Sequence, residues 1–149
     1  MALGDVYGFN DVTKKLGDGS YTLASDTLEF YFITETASAI NLDASNPVLG
    51  GFTQVASAGN YTAPFVGASV TWTRSTTTST YDAADISLLK NASNPSTVKS
   101  LLVVDATAID ACLCVWDMTT DNGVTAPDLV NNDLTVTINA SGILTVSKV

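Results

Sequence analysis

The sequence predicts a mainly β fold: a single antiparallel β-sandwich of jelly-roll type, with a short N-terminal helix or extended arm. Three observations predict it. Apolar segments rich in β-branched and aromatic residues recur at short spacing from position 25 onward. Gly, Asn, Asp and Pro collect between these segments, as they do in turns. No helical pattern separates the segments, although parallel strands would need long and usually helical crossovers.

The N-terminal segment, residues 1–16, is the predicted helix or arm, and residues 17–149 form the predicted sandwich domain. A glycine at position 17 supplies a stop signal for a helix. The helical interpretation depends on four apolar residues that recur near helical spacing: Val6, Phe9, Val12 and Leu16.

Two of the later segments are nearly continuous apolar runs, "STVKSLLVVD" and "DACLCVWDM". Such runs are typical of central strands that are buried on both faces. The segment "SDTLEFYFITETA" also predicts a strand, in which Leu28, Phe30 and Phe32 alternate with Glu29, Tyr31 and Ile33. We therefore expect about eight to ten strands, with the two continuous runs at the centre.

The segment "NDLTVTINASGILTVSKV" predicts a closing β-hairpin. Its turn runs from Asn139 to Gly142, with Gly142 in the left-handed region and a bulge that restores the alternation. The predicted core face is apolar and contains Leu134, Val136, Ile138, Leu144 and Val146.

Composition excludes several classes of function. The chain has 149 residues, which indicates one domain, and it carries a net charge of −9 with only six scattered Lys and Arg residues. A nucleic-acid binder needs clustered cations that neutralise phosphates, and binding to anionic lipid has the same requirement. No apolar run is long enough to span a bilayer, and the first residues lack the features of a signal peptide. We therefore expect no nucleic-acid partner, no membrane partner and synthesis in a cytoplasm.

The sequence predicts a protein that is not an enzyme and that needs no cofactor. It contains no histidine, which removes the usual general base and the commonest zinc ligand. Cys112 and Cys114 could supply half of a zinc site, but no second pair of cysteines exists. We interpret both as small buried apolar residues.

Two further features have competing interpretations. The stretch "DMTTDNG" resembles a calcium loop, but Asn122 occupies the position of the required glycine. A polar loop with capped turns is favoured over an opportunistic Ca²⁺ site built from Asp117, Asp121 and Asp128. Trp72 and Trp116 could be sugar platforms, but their place in strand segments favours core packing.

The order of these segments resembles that of a family of small β-rich structural proteins of tailed bacteriophages. The matching pieces are an aromatic-containing N-terminal stretch followed by "DTLEFYFIT", and a Gly-Tyr-Thr segment. Here that segment is Gly59, Tyr61 and Thr62, with Asn60 inserted. A third piece is the strand, turn and apolar strand of "INASGILTVS". The resemblance covers most of the chain, and the weight lies in the order of the motifs.

The resemblance implies a head decoration, or cement, protein that binds the outside of a phage capsid and locks neighbouring capsomers. The implied partners are the major capsid protein and copies of the chain itself, as a trimer or dimer. The implied location is the capsid exterior of a virion, after synthesis in the host bacterial cytoplasm. The alternatives are another virion component, such as a head-fibre base, neck or tail part, and a β-sandwich module that binds carbohydrate or acts as an adhesin.

Overall fold

The computed structural model describes residues 4–66, 70–121, 123–139 and 142–147, except for the side chains of Val66 and residues 144–147. It is mainly β, with antiparallel strand pairs and one short helix, which confirms the predicted class. The strands and the helix are β1 (Val6–Gly8), α1 (Asp11–Gly17), β2 (Leu28–Ile33), β3 (Phe65–Val66), β4 (Thr71–Arg74), β5 (Thr78–Asp82), β6 (Ile86–Leu88), β7 (Ser100–Asp105), β8 (Ala111–Asp117), β9 (Leu134–Val136) and β10 (Leu144–Ser147).

These strands form three sheets in the described part of the chain. The largest has the order β1-β8-β7-β2-β3, the second has the order β10-β5-β4, and the third pairs β6 with β9. Every residue of β7 and β8 is buried, as predicted from their continuous apolar runs. A β-bulge lies in the β7–β8 pair between Val103 and Val104, where Leu113 is the extra residue on β8.

The N-terminal segment contains a strand and a helix. β1 pairs with β8, with Val6 opposite Trp116, and α1 begins only at Asp11. The apolar residues of the predicted helix therefore do not share one buried face: Phe9 and Val12 are buried in the core, whereas Val6 is 48% exposed. The short N-terminal helix of the prediction is confirmed, but its start lies later than the spacing indicated because β8 provides hydrogen-bonding partners for an extended segment.

The predicted closing hairpin is wrong. β9 pairs with β6, and β10 pairs with β5, so the two arms of the segment do not pair with each other. Both arms run antiparallel along one earlier stretch of chain, residues 78–88, which makes a long interrupted ribbon with residues 134–147. Alternation identifies strands but does not choose their partners, which explains the error.

The predicted turn within that segment is present in its described residues. Gly142 has φ +80°, and its N–H donates to the carbonyl oxygen of Asn139 at 2.7 Å. The next amide, that of Ile143, donates to the carbonyl oxygen of Tyr81 at 2.7 Å. The turn thus lies between β9, which pairs with β6, and β10, which pairs with β5. Val136 and Ile138 are buried as predicted, Leu134 is half-buried, and the side chains predicted at positions 144 and 146 lie outside the described residues.

Candidate functional site

The most unusual exposed feature is the turn between β7 and β8, residues 106–110, here called the β7–β8 tip. Ile109 is 87% exposed and has φ +57°, and Asp110 follows with φ +54°. The left-handed region costs an L-residue about 1–2 kcal/mol, and a β-branched side chain is especially unfavourable there. The fold therefore presents an apolar side chain to solvent at a position where Asn, Asp or Gly would be more stable.

Hydrogen bonds from both sides hold the tip in this conformation. The Asp105 Oδ1 atom accepts the amides of Thr107 and Ala108 at 2.9 and 3.1 Å. The backbone of Thr27 exchanges two further bonds with the tip: its carbonyl accepts from the Ala106 amide, and its amide donates to the Thr107 hydroxyl. The exposed Ile109 side chain is therefore carried by a well-anchored turn.

Beneath the tip lies a buried acidic pair, Asp26 and Asp105, with 7% and 0% exposure. Asp26 accepts the amide and the hydroxyl of Thr22, both at 2.6 Å. Burial, and after it the nearby Asp26 carboxyl, raise the pKa of Asp105 to about 6. Within the described residues, neither carboxyl forms an ion pair.

A second surface feature is an apolar groove beside β1, here called the β1 groove. It consists of two adjoining cavities of about 550 and 430 Å³ that share Val6 and Ile143 in their walls. None of its described lining residues is charged. Phe9, Val12 and Leu113 line one part, and the other part includes Trp116, Met118, Leu134, Val136 and Ile138.

Several strands of the described sheets lie at edges. β1 and β3 are the outer strands of the largest sheet, and β10 and β4 are the outer strands of the second. The stretch "RSTTTST" joins β4 to β5 in a hairpin, in which the Ser75 amide donates to the Thr78 carbonyl at 2.8 Å. Unpaired edge amides and carbonyls can pair with another chain.

A cluster of asparagine side chains joins three loops. The Asn94 Oδ1 atom accepts the Asn60 amide at 2.8 Å, and the Asn94 Nδ2 atom donates to the carbonyl oxygens of Leu89 and Leu129 at 2.9 Å. Gly59 has φ +61°, and a Cβ atom at this position would lie 2.5 Å from the Asn94 side chain. The Gly-Tyr-Thr segment is thus packed against Asn94, and the Tyr61 hydroxyl accepts the Phe32 amide at 3.1 Å.

The three aspartates considered for calcium do not converge on one point. Asp117 accepts the amide and the hydroxyl of Thr119, and Asp121 and Asp128 each accept amides that follow them in their own turns. Among the residues that the structure describes, no group of three or more potential ligands could hold a metal ion. The capped polar loop is the interpretation that these contacts support.

The remaining sequence candidates lie in or near the core. Cys112 and Cys114 are buried free thiols, and burial raises the pKa of each to about 12, so both stay protonated at neutral pH. Trp116 is buried, as predicted. Trp72 is half-buried, and its ring lies 5.9 Å from that of Tyr81 in an edge-to-face arrangement. It also lines a shallow cavity with Leu16, Tyr21 and Leu23.

Comparison with known proteins assigns no family. No family model, no curated protein and no solved structure matches the chain. The helix in the described residues is too short to cross a bilayer.

Sequence reasoning missed the β7–β8 tip, the acidic pair and the asparagine cluster. A left-handed Ile has no signature in composition, because the local pattern "DATAIDA" lacks the glycine that usually marks such a turn. The acidic pair and the asparagine cluster join residues that lie far apart in the sequence. The one signal in the sequence is Asp105, a charged residue that directly follows the apolar run "LLVV".

Proposed function

We propose that this chain is a structural protein of a tailed-phage virion that binds the outside of the capsid and cements neighbouring capsomers. In this proposal its sheets stack as an antiparallel sandwich, and copies of the chain associate as a trimer or dimer. The resemblance in motif order supports the proposal. So does the tip, where the chain exposes an apolar residue for a protein partner.

The exposure and backbone strain of Ile109 carry the proposal. An exposed β-branched residue in the left-handed region lowers the stability of the isolated chain. Insertion into an apolar pocket of a partner would offset this cost, since burial of an Ile side chain contributes about 1.5–3 kcal/mol. The hydrogen bonds around residues 106–110 keep the tip ordered, so little conformational entropy would be lost on binding.

The low fraction of charged residues, the negative net charge and the repeating lattice of a capsid all agree with attachment to a capsid shell. Interface cores are depleted of charged residues, and charged residues make up only 14% of this chain. The net charge of −9 would keep a particle that displays many copies soluble. Since oligomeric copies bind a repeating lattice at several points, modest individual contacts would add to strong attachment.

The first test measures copy number in purified particles of the phage that encodes the chain. Quantitative mass spectrometry should find the chain at a level close to that of the major capsid protein, and a cryo-EM map should place it on the outer capsid surface. A far smaller copy number would contradict the cement role and support a head-fibre, neck or tail part. Specific glycan binding that disappears in Trp72→Ala would instead support a carbohydrate-binding module.

The second test separates attachment from folding. Ile109→Asn removes the apolar side chain and places a residue that tolerates the left-handed region, so stability should rise by about 1 kcal/mol. Attachment to particles that lack the protein should become roughly 10- to 100-fold weaker, in proportion to the lost burial. Binding titrations and urea unfolding measure the two effects.

Val124→Asn is the matched control for this substitution. Val124 is also apolar and 73% exposed, but it follows the opposite end of β8. This variant should bind like the unmodified chain. Equal loss of binding in both variants would show that general surface hydrophobicity, and not the tip, drives attachment.

A further inference from the structure

The acidic pair beneath the tip is unusual because its hydrogen bonds do not match two ionised carboxylates. Both Asp26 oxygens accept from Thr22, which suits the ionised form of that residue. Asp105 uses only its Oδ1 atom for the tip amides, and its buried Oδ2 atom accepts no hydrogen bond from any residue that the structure describes. The backbone places Asp26 beside Asp105: Leu28 pairs with Asp105 in the sheet, and Thr27 bonds to Ala106 and Thr107. The Asp26 carboxyl also acts directly on the pKa of Asp105. A proton on the Oδ2 atom of Asp105 would satisfy this arrangement.

Within the described part of the chain, no side chain donates a hydrogen bond to the Asp105 Oδ2 atom. Tyr81, on β5, is fully buried, and its hydroxyl has no hydrogen-bond partner in the described residues. The Tyr21 hydroxyl donates to the carbonyl oxygen of Cys112 at 3.3 Å. Lys15, a cation next to Tyr21, lies over the Tyr21 ring and pairs with Asp11 at 3.7 Å. The titratable groups around the pair and its neighbours are Asp11, Lys15, Tyr21, Tyr81, Asp110 and Cys112.

We propose that in mild acid Asp105 is protonated in the folded protein and donates its Oδ2 proton to Asp26, so that one buried proton connects the Thr22–Asp26 turn to the β7–β8 tip. When the pH rises, this proton passes to solvent and leaves two adjacent buried carboxylates. Their repulsion moves the Asp105 carboxylate, outweighs its stronger attraction for the amides of Thr107 and Ala108, and frees the segment that carries Ile109. The tip is therefore ordered in mild acid and more mobile above neutral pH.

The sign of the pH dependence follows from proton binding. The folded-state pKa of Asp105 is about 6, above the ordinary value of 3.8, so the folded chain holds more protons than the unfolded chain between these values. The stabilisation is therefore present in full below the ordinary pKa and is lost as the pH rises through 6. With these values, the folding equilibrium constant should fall on the order of 10-fold between pH 5 and pH 8 from this group alone.

Asp105→Asn tests the proposal directly because an amide mimics the protonated acid. Its oxygen can accept the two tip amides, and its NH₂ group can donate to Asp26. Urea unfolding at pH 5 and pH 8 should show the 10-fold fall in the unmodified chain but not in the variant. Amide hydrogen exchange at positions 107 and 108, corrected for intrinsic rates, should accelerate at pH 8 only in the unmodified chain.

Asp133→Asn is the matched control, since Asp133 is an exposed carboxylate that also accepts one backbone amide, from Lys90. It should keep the pH dependence of the unmodified chain. If Asp105→Asn does not fold, a ¹³C titration of the aspartate carboxyls in the unmodified chain replaces it and should show one buried group with a midpoint near pH 6.

Two outcomes would overturn the proposal. One is a ratio of folding constants, unmodified chain to Asp105→Asn, that is equal at pH 5 and pH 8, or a titration in which every aspartate has its midpoint below pH 5. The other is a rise in stability at pH 8 on adding millimolar CaCl₂ that is absent in Asp105→Asn, because the pair would then hold a cation and not a proton. Both tests use the isolated chain, so they are independent of capsid binding.

Discussion

The largest sheet and the ribbon formed by residues 78–88 and 134–147 are built in different ways. In the largest sheet, β7 and β8 lie side by side, and every residue in both is buried. In the ribbon the strands are three to five residues long, and exposed or half-buried positions predominate in β5, β6 and β9. The first region is held by continuous apolar burial, and the second depends on individual turns and side-chain hydrogen bonds.

This difference also decides which strand positions and which strand pairings can be predicted from the sequence. A continuous apolar run has to lie between two other strands, so its central position follows directly from burial. An alternating strand needs only one covered face, and several partners satisfy that need equally well. For this reason the predicted closing hairpin, whose two arms lie in the ribbon, is wrong.

The largest expected effect comes from a core truncation in the first region. Phe30 is fully buried, with its ring 6.4 Å from that of Trp116, and Phe30→Ala should lower the free energy of unfolding by about 3–5 kcal/mol. Trp72 lies on β4 and packs against Tyr81 of the ribbon strand β5. Trp72→Ala should cost at most about 2 kcal/mol, because that side chain is only half-buried. Urea unfolding measures both. Equal costs would show that the two regions are packed alike.

The next effect tests the turn that redirects the ribbon. A Cβ atom at Gly142 would lie 2.5 Å from the Tyr81 carbonyl oxygen, and φ is +80°. Gly142→Ala should therefore cost about 2–4 kcal/mol, from the left-handed backbone and the close contact together. Gly50→Ala is the control, since no atom lies within 4 Å of its Cβ position, and its effect should stay within about 0.5 kcal/mol. A small effect at Gly142 in thermal unfolding would mean that the ribbon adjusts around the turn.

The smallest of the three effects concerns the side-chain hydrogen bonds that hold the loops. Asn94→Ala leaves the Asn60 amide and the carbonyls of Leu89 and Leu129 without their partner, and it should cost about 1–3 kcal/mol. Asn131→Ala should change the unfolding free energy by less than about 0.5 kcal/mol, because Asn131 is exposed and its amide group bonds only to Asp128. If amide exchange at Asn60 is unchanged in Asn94→Ala, the cluster does not hold these loops.

The fold class and the central strands could be predicted because they depend on local periodicity and on apolar runs. The pairing of β9 and β10 could not, since it depends on which distant strand has an open edge. The candidate site was beyond prediction for a related reason. Asp26 and Asp105 are 79 positions apart, and the backbone strain at Ile109 arises from hydrogen bonds that Thr27 and Asp105 supply from elsewhere.

The separation of the ribbon's two halves has a consequence during synthesis. Leu144 pairs with Tyr81, so β5 leaves the ribosome 63 residues before its partner, a delay of roughly 3–13 s at about 5–20 residues per second. A strand edge that stays unpaired for this time can pair with the edge of another nascent chain. The threonines and serines of β4 and β5 lower this risk, because a polar strand adheres poorly to a second copy. The hydroxyl-rich composition of this hairpin thus protects the chain before it has folded.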